Sequence, residues 1–139
     1  MPRPVARRPL AGVLLALSFC LSAGCPSSGK KLPAVYPVEG KVVYKGGQPL
    51  TGGSVSFQSQ TDSSFAASGE IQPDGSFTLW TFADKERVKG APPGKYNVTV
   101  MPAMGSDHSI QPIAVAKPIE VEAKENRLAI TLDRAAPKK

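Results

Sequence analysis

The 139-residue chain predicts one all-β domain, a seven-stranded antiparallel β-sandwich, behind an N-terminal export segment. Three observations predict it. Apolar and polar residues alternate at period two in segment after segment, and no helical period appears. Glycine (13) and proline (14) fall between these segments, and aromatics are too few (6%) for a typical helical bundle core. The length suits a single domain at ~100–200 residues each.

The strands follow in chain order. Val38, Val42 and Tyr44 share a face against Glu39, Lys41 and Lys45. Val55 and Phe57 alternate with Ser54, Ser56 and Gln58. A weaker strand runs from Ala66 to Ile71, and Phe77 and Leu79 follow the Pro73-Asp74-Gly75 turn. Tyr96, Val98 and Val100 alternate with Lys95, Asn97 and Thr99. Ile119, Val121 and Ala123 alternate with Glu120, Glu122 and Lys124, and Leu128, Ile130 and Leu132 with Arg127, Ala129 and Thr131. One apolar face per strand is what a sheet needs when one side packs and the other meets water. Gly46-Gly47 and Gly52-Gly53 are expected to supply positive φ, and Asp74-Gly75 suits a tight hairpin. Pro92-Pro93-Gly94 fixes the entry into the Tyr96 strand. Seven short strands in about 100 residues fit a sandwich.

The export segment has three parts. Residues 1–9 hold Arg3, Arg7 and Arg8 and no acid, and residues 10–24 hold no charge. A basic start, a short apolar stretch and small residues before a cut describe a secretory signal peptide. A membrane span needs ~20 apolar residues, which this stretch does not reach. Leu21-Ser22-Ala23-Gly24-Cys25 resembles a bacterial lipobox, with Ser22 where the pattern usually has Leu. The resemblance implies that Cys25 receives a diacylglyceryl group and becomes the mature N-terminus. Two acyl chains suffice for stable anchoring. An ordinary secreted protein with a free Cys25, or an uncleaved N-terminal anchor, are the alternative readings.

Cleavage before Cys25 changes the composition. The net charge of +6 falls, because 17 Lys+Arg less Arg3, Arg7 and Arg8 leaves 14 against 11 Asp+Glu, or +3. Cys20 also leaves, so no internal disulfide is possible. The chain therefore divides into a signal peptide (1–24), a Pro/Ser/Gly-containing flexible tether (25–35), the β domain (36–134) and a tail (135–139) expected to be disordered.

Within the domain, Gly40-Lys41-Val42-Val43-Tyr44-Lys45-Gly46-Gly47-Gln48-Pro49-Leu50 precedes Gly53-Ser54-Val55-Ser56-Phe57. Pro73-Asp74-Gly75-Ser76-Phe77-Thr78-Leu79 comes next, then Gly90 to Val100. In this order and spacing they resemble the carboxypeptidase regulatory-like domain, a transthyretin-like (prealbumin-like) sandwich, as carried by small bacterial envelope lipoproteins. The resemblance covers residues 36–134. It implies a non-catalytic accessory or interaction role and no particular ligand.

Chemistry-bearing residues are sparse. His108 is the only histidine and lies beside Ser109 between Pro102 and Pro112, which reads as an exposed loop and makes no triad. Hydrolases of the transthyretin fold use several histidines and a C-terminal Tyr-Arg-Gly-Ser, whereas this chain ends Ala136-Pro137-Lys138-Lys139. Asp62, Glu70, Asp74 and Asp107 form no calcium-loop pattern, and two cysteines cannot make a four-cysteine zinc site. No cofactor or metal is expected. Asp84-Lys85-Glu86-Arg87-Val88-Lys89 mixes signs and reads as a solvated loop. It has neither a basic run nor interleaved aromatics, so nucleic acid is excluded as a partner. Asn97-Val98-Thr99 matches a glycosylation acceptor, but its mid-strand position in a bacterial chain makes the match chance.

Trp80 and Phe82 stand out. Strand alternation puts them on the face opposite Phe77 and Leu79, where they form an aromatic platform for sugars or a partner unless a loop spanning 83–93, or a bend in the strand, covers them. The expectation is a lipid-anchored, exported protein of the cell envelope with a non-enzymatic structural or binding role. Its partners are the membrane, through the lipid, and an envelope protein or polysaccharide. A small transthyretin-fold hydrolase and a secreted soluble carbohydrate-binding module are the alternatives.

Overall fold

The computed structural model describes residues 31–83, 86–103 and 111–137. Among these residues there are ten strands and no helix. They are β1 (Val38–Tyr44), β2 (Gly53–Ser59), β3 (Ala66–Ile71), β4 (Ser76–Thr78), β5 (Trp80–Ala83), β6 (Glu86–Lys89), β7 (Gly94–Pro102), β8 (Ile113–Ala114), β9 (Ile119–Val121) and β10 (Asn126–Leu132). Hydrogen bonds join them into one mixed sheet, curled into a half-barrel, in the order β10-β1-β4-β3-β2-β7-β8. Off this path β5 pairs with β3 and β6, and β9 pairs with β7.

The all-β class is as the alternation predicts, but its details differ from seven antiparallel strands. The Phe77/Leu79 strand divides into β4 and β5, and β6 and β8 are additional. β6 lies in the segment expected to be a solvated loop. None of its residues is fully buried, so it leaves no hydrophobic period to read. β1 and β10 run parallel, with Val38 opposite Asn126 and Tyr44 opposite Leu132. Alternation reads the same in both chain directions, so it carries no information about strand orientation. All ten strands are connected by pairing into the one sheet.

The inner face of the curl holds the core. Val38, Val42, Val55, Val98, Val100, Ile130 and Leu132 bury their side chains there, each contributing about 1.5–3 kcal/mol relative to exposure. Phe57 sits among the aromatics, its ring 6.2 Å from Phe77 and 5.9 Å from Tyr96. The buried polar groups are paired. The Thr81 hydroxyl donates to the Gly90 carbonyl at 2.7 Å, and Tyr96 donates to the Pro92 carbonyl at 2.7 Å. The Asn126 amide donates to the carbonyls of Glu122 and Lys124 and accepts the Glu122 N–H, which shapes the β9–β10 turn.

The turns carry their expected chemistry with one exception. Gly75 has φ 85°, its N–H donates to the Gln72 carbonyl, and the Asp74 carboxylate accepts the Ser76 N–H and hydroxyl. Gly47, Gly52 and Gly53 have positive φ, but Gly46, expected to share that role, does not.

Two inward-facing glycines shape the region around Leu79. A Cβ at Gly40 would lie 2.6 Å from Phe77 Cζ and 2.5 Å from the Leu128 carbonyl oxygen. A Cβ at Gly69 would collide with the Thr78 carbonyl. β3 therefore lets the passing strand come close as it changes neighbours. Ile71 pairs with Phe77 of β4, and Ser68 with Trp80 of β5. Leu79 lies at the break, donating to the Val38 carbonyl and accepting the Gly90 N–H.

Candidate functional site

Alternation continues through the break. Phe77, Leu79 and Thr81 are buried, while Thr78 and Trp80 are half-buried and Phe82 is exposed. Trp80 and Phe82 thus share the outer face, as expected. Neither a loop nor a bend shields both. The segment after them returns as β6, with Trp80 opposite Lys89 and Phe82 opposite Arg87.

This register brings a cation onto the aromatics. The Arg87 guanidinium carbon lies 4.4 Å from the Trp80 ring centre and 5.8 Å from that of Phe82. Both distances are within cation–π range, ~6 Å. Arg87 covers part of Trp80, whereas Phe82 remains 61% exposed. The platform is therefore a Trp80–Arg87–Phe82 cluster, not two bare rings.

A groove of about 420 Å³ runs from this cluster along β4, lined by Glu39, Glu70, Gln72, Ser76, Thr78, Trp80 and Arg87 over a floor of Gly40 and Phe77. Phe82 lies outside it. Lys89 Nζ donates to Glu39 Oε1 at 2.8 Å, tying β6 to β1. That bond and the adjacent ammonium charge hold the Glu39 carboxyl below its ordinary pKa. Glu39 is therefore a standing anion and a poor general acid. The groove offers carboxylate and amide acceptors, hydroxyls and one indole wall. Such a surface suits a hydroxyl-rich ligand stacked against an aromatic ring.

Of the two residues that sequence reasoning singled out, Trp80 lines the groove and Phe82 does not. Arg87, Glu39, Glu70 and Gln72 were missed. Arg87 was within reach, because the antiparallel pairing of β5 with β6 sets it opposite Phe82. Glu39 and Glu70 come together with Trp80 only through the sheet order. Among the described residues, no three His, Cys, Asp or Glu side chains form a group that could hold a metal ion. Asp62 and Asp74 accept hydrogen bonds from Ser64 and Ser76. Cys25, the lipobox residues Leu21, Ser22, Ala23 and Gly24, the signal peptide, His108 and Asp107 lie outside the described residues.

No family model matches the chain, and comparisons with curated proteins and with solved structures find no match either.

Proposed function

We propose that the protein is a lipid-anchored, non-enzymatic module of the bacterial cell envelope that binds a glycan along the groove beside Trp80. The observation that carries this reading is the groove itself, where carboxylates, an amide and hydroxyls line a channel walled by an indole. The anchor rests on the order of Arg3, Arg7, Arg8, the apolar stretch and Leu21 to Cys25. The finer fold reading belongs to the same proposal. The motifs from Gly40 to Phe57, Pro73 to Leu79 and Gly90 to Val100 support a carboxypeptidase regulatory-like, transthyretin-like sandwich.

Two measurements test it. Binding to peptidoglycan and exopolysaccharide preparations is expected to fall about tenfold in Trp80→Ala, a cost of ~1.4 kcal/mol that suits truncation of an aromatic contact residue. Unchanged binding in that variant removes the glycan reading. Cys25→Ala is expected to abolish lipid labelling and release the protein from membranes, and unchanged membrane association removes the anchor.

A further inference from the structure

Phe82 is the more exposed of the two large apolar side chains that face solvent among the described residues, at 61% against 41% for Met101. It takes no part in the groove, so the glycan reading leaves it unexplained. Its place in the fold is informative. The chain enters the sheet at Tyr36, which bridges to Ala91, and the Pro37 carbonyl accepts the Asn126 N–H. Leu79 bonds to the Val38 carbonyl at the start of β1, and β5 then runs on past that point through Trp80 to Phe82. Phe82 and Arg87 therefore project at the end of the sheet by which the tether arrives. Met101 lies at the far end of β7, opposite Ser54.

We infer that this end docks on the bilayer surface, with Phe82 inserted at the headgroup level and Arg87, stacked on Trp80, facing the lipid phosphates. The inference rests on Cys25 being the lipid anchor. Tyr36 stands 11 positions beyond Cys25. Eleven residues reach at most ~36–40 Å. The nine residues of β7 alone run ~30 Å. The leash joins the sheet at the end that carries Phe82, and Met101 lies a strand's length farther from it, so the Phe82 end is the one held nearest the membrane. Aromatic rings and cations are the side chains that settle at this depth, the ring in the acyl boundary and the guanidinium among the headgroups. No carboxylate among the described residues is paired with Arg87, so its charge is available to an anionic lipid. Lys31, exposed on the incoming tether, adds a second cation.

The test uses the only tryptophan of the chain. The full, lipidated protein is reconstituted in vesicles of phosphatidylethanolamine and phosphatidylglycerol whose acyl chains carry bromine near the headgroup. Trp80 fluorescence is expected to be quenched, and Phe82→Ser to lower the quenching by roughly twofold, as expected for loss of an interfacial apolar anchor. Met101→Ser is expected to leave it unchanged. No quenching in the unaltered protein overturns the inference, as does equal quenching in Phe82→Ser and the unaltered protein. Glycan binding, measured on the same Phe82→Ser sample, is expected to be retained. Loss of quenching with retained binding separates bilayer docking from the groove, and loss of both shows that Phe82 serves the glycan instead.

Discussion

The guanidinium of Arg87 lies 4.4 Å over the Trp80 ring, although the residue opposite Trp80 in the ladder is Lys89. Arg87 reaches diagonally along β6, while Lys89 turns aside to Glu39. The two cations of β6 thus divide their work, one shielding the indole and one tying the hairpin to β1. Arg87→Ala is expected to raise acrylamide quenching of Trp80 and to cost about 0.5–1 kcal/mol of stability at this exposed site. Chemical denaturation followed by Trp80 emission measures both. Quenching that does not change would show that the indole is covered by something other than Arg87.

Gly40 and Phe77 are opposite each other in the β1–β4 ladder, and the Phe77 ring fills the space where a side chain at position 40 would be. Gly40→Ala forces the ring or the Leu128 carbonyl to move. The cost is expected to be about 1–3 kcal/mol, the range for overpacking a filled core. Gly46→Ala, where a Cβ meets nothing within 4 Å, serves as the control and is expected to stay within about 0.5 kcal/mol. Thermal unfolding of the two variants checks the contrast.

The strands and their inward faces were legible because each carries its own alternation. Val55 and Phe57 need no knowledge of their neighbours to declare which side is buried. Pairing was not legible in the same way. β1 and β10 lie side by side and parallel, and nothing in Val38–Tyr44 or Asn126–Leu132 alone encodes that direction. β6 was invisible because an edge strand with no buried face has no period to show. The site divides along the same line. The shared outer face of Trp80 and Phe82 follows from strand parity, which is local. Glu39, Glu70 and Gln72 reach the groove through the order β1-β4-β3, which is not.

Two exposed carboxyls make stability depend on acid. Glu39 is held below its ordinary 4.5 by the hydrogen bond and charge of Lys89, and Asp74 below its ordinary 3.8 by hydrogen bonds from Ser76. In each case the folded state holds the proton less tightly than the unfolded chain. Their contribution is therefore full above those ordinary values and is lost as pH falls through the lower, folded ones. The melting temperature is expected to decline as pH drops below 4.5. In Lys89→Met the part of that decline due to Glu39 is expected to shrink, while the part due to Asp74 persists. Identical pH profiles for the two proteins would sink the assignment.

Tyr96 sets the opposite limit. Its side chain is buried beside Phe57, its hydroxyl donates to the Pro92 carbonyl at 2.7 Å, and burial raises its pKa above the ordinary 10.0. Ionisation would place an anion in the core and remove the donor that holds the Pro92 turn. The folded state therefore resists losing the proton. The resulting stability is present below pH 10.0 and is lost as pH climbs through the raised value. Tyr96→Phe removes the hydroxyl and leaves the Pro92 carbonyl without its donor, so at neutral pH it is expected to cost about 1–3 kcal/mol. Above pH 10 the order of effects changes, because the variant has no phenol to ionise there and its stability is expected to decline less steeply. Denaturation midpoints at pH 7 and at intervals above 10 measure both effects. A variant that loses stability in parallel with the unaltered protein through the alkaline range would show that some other group governs unfolding there.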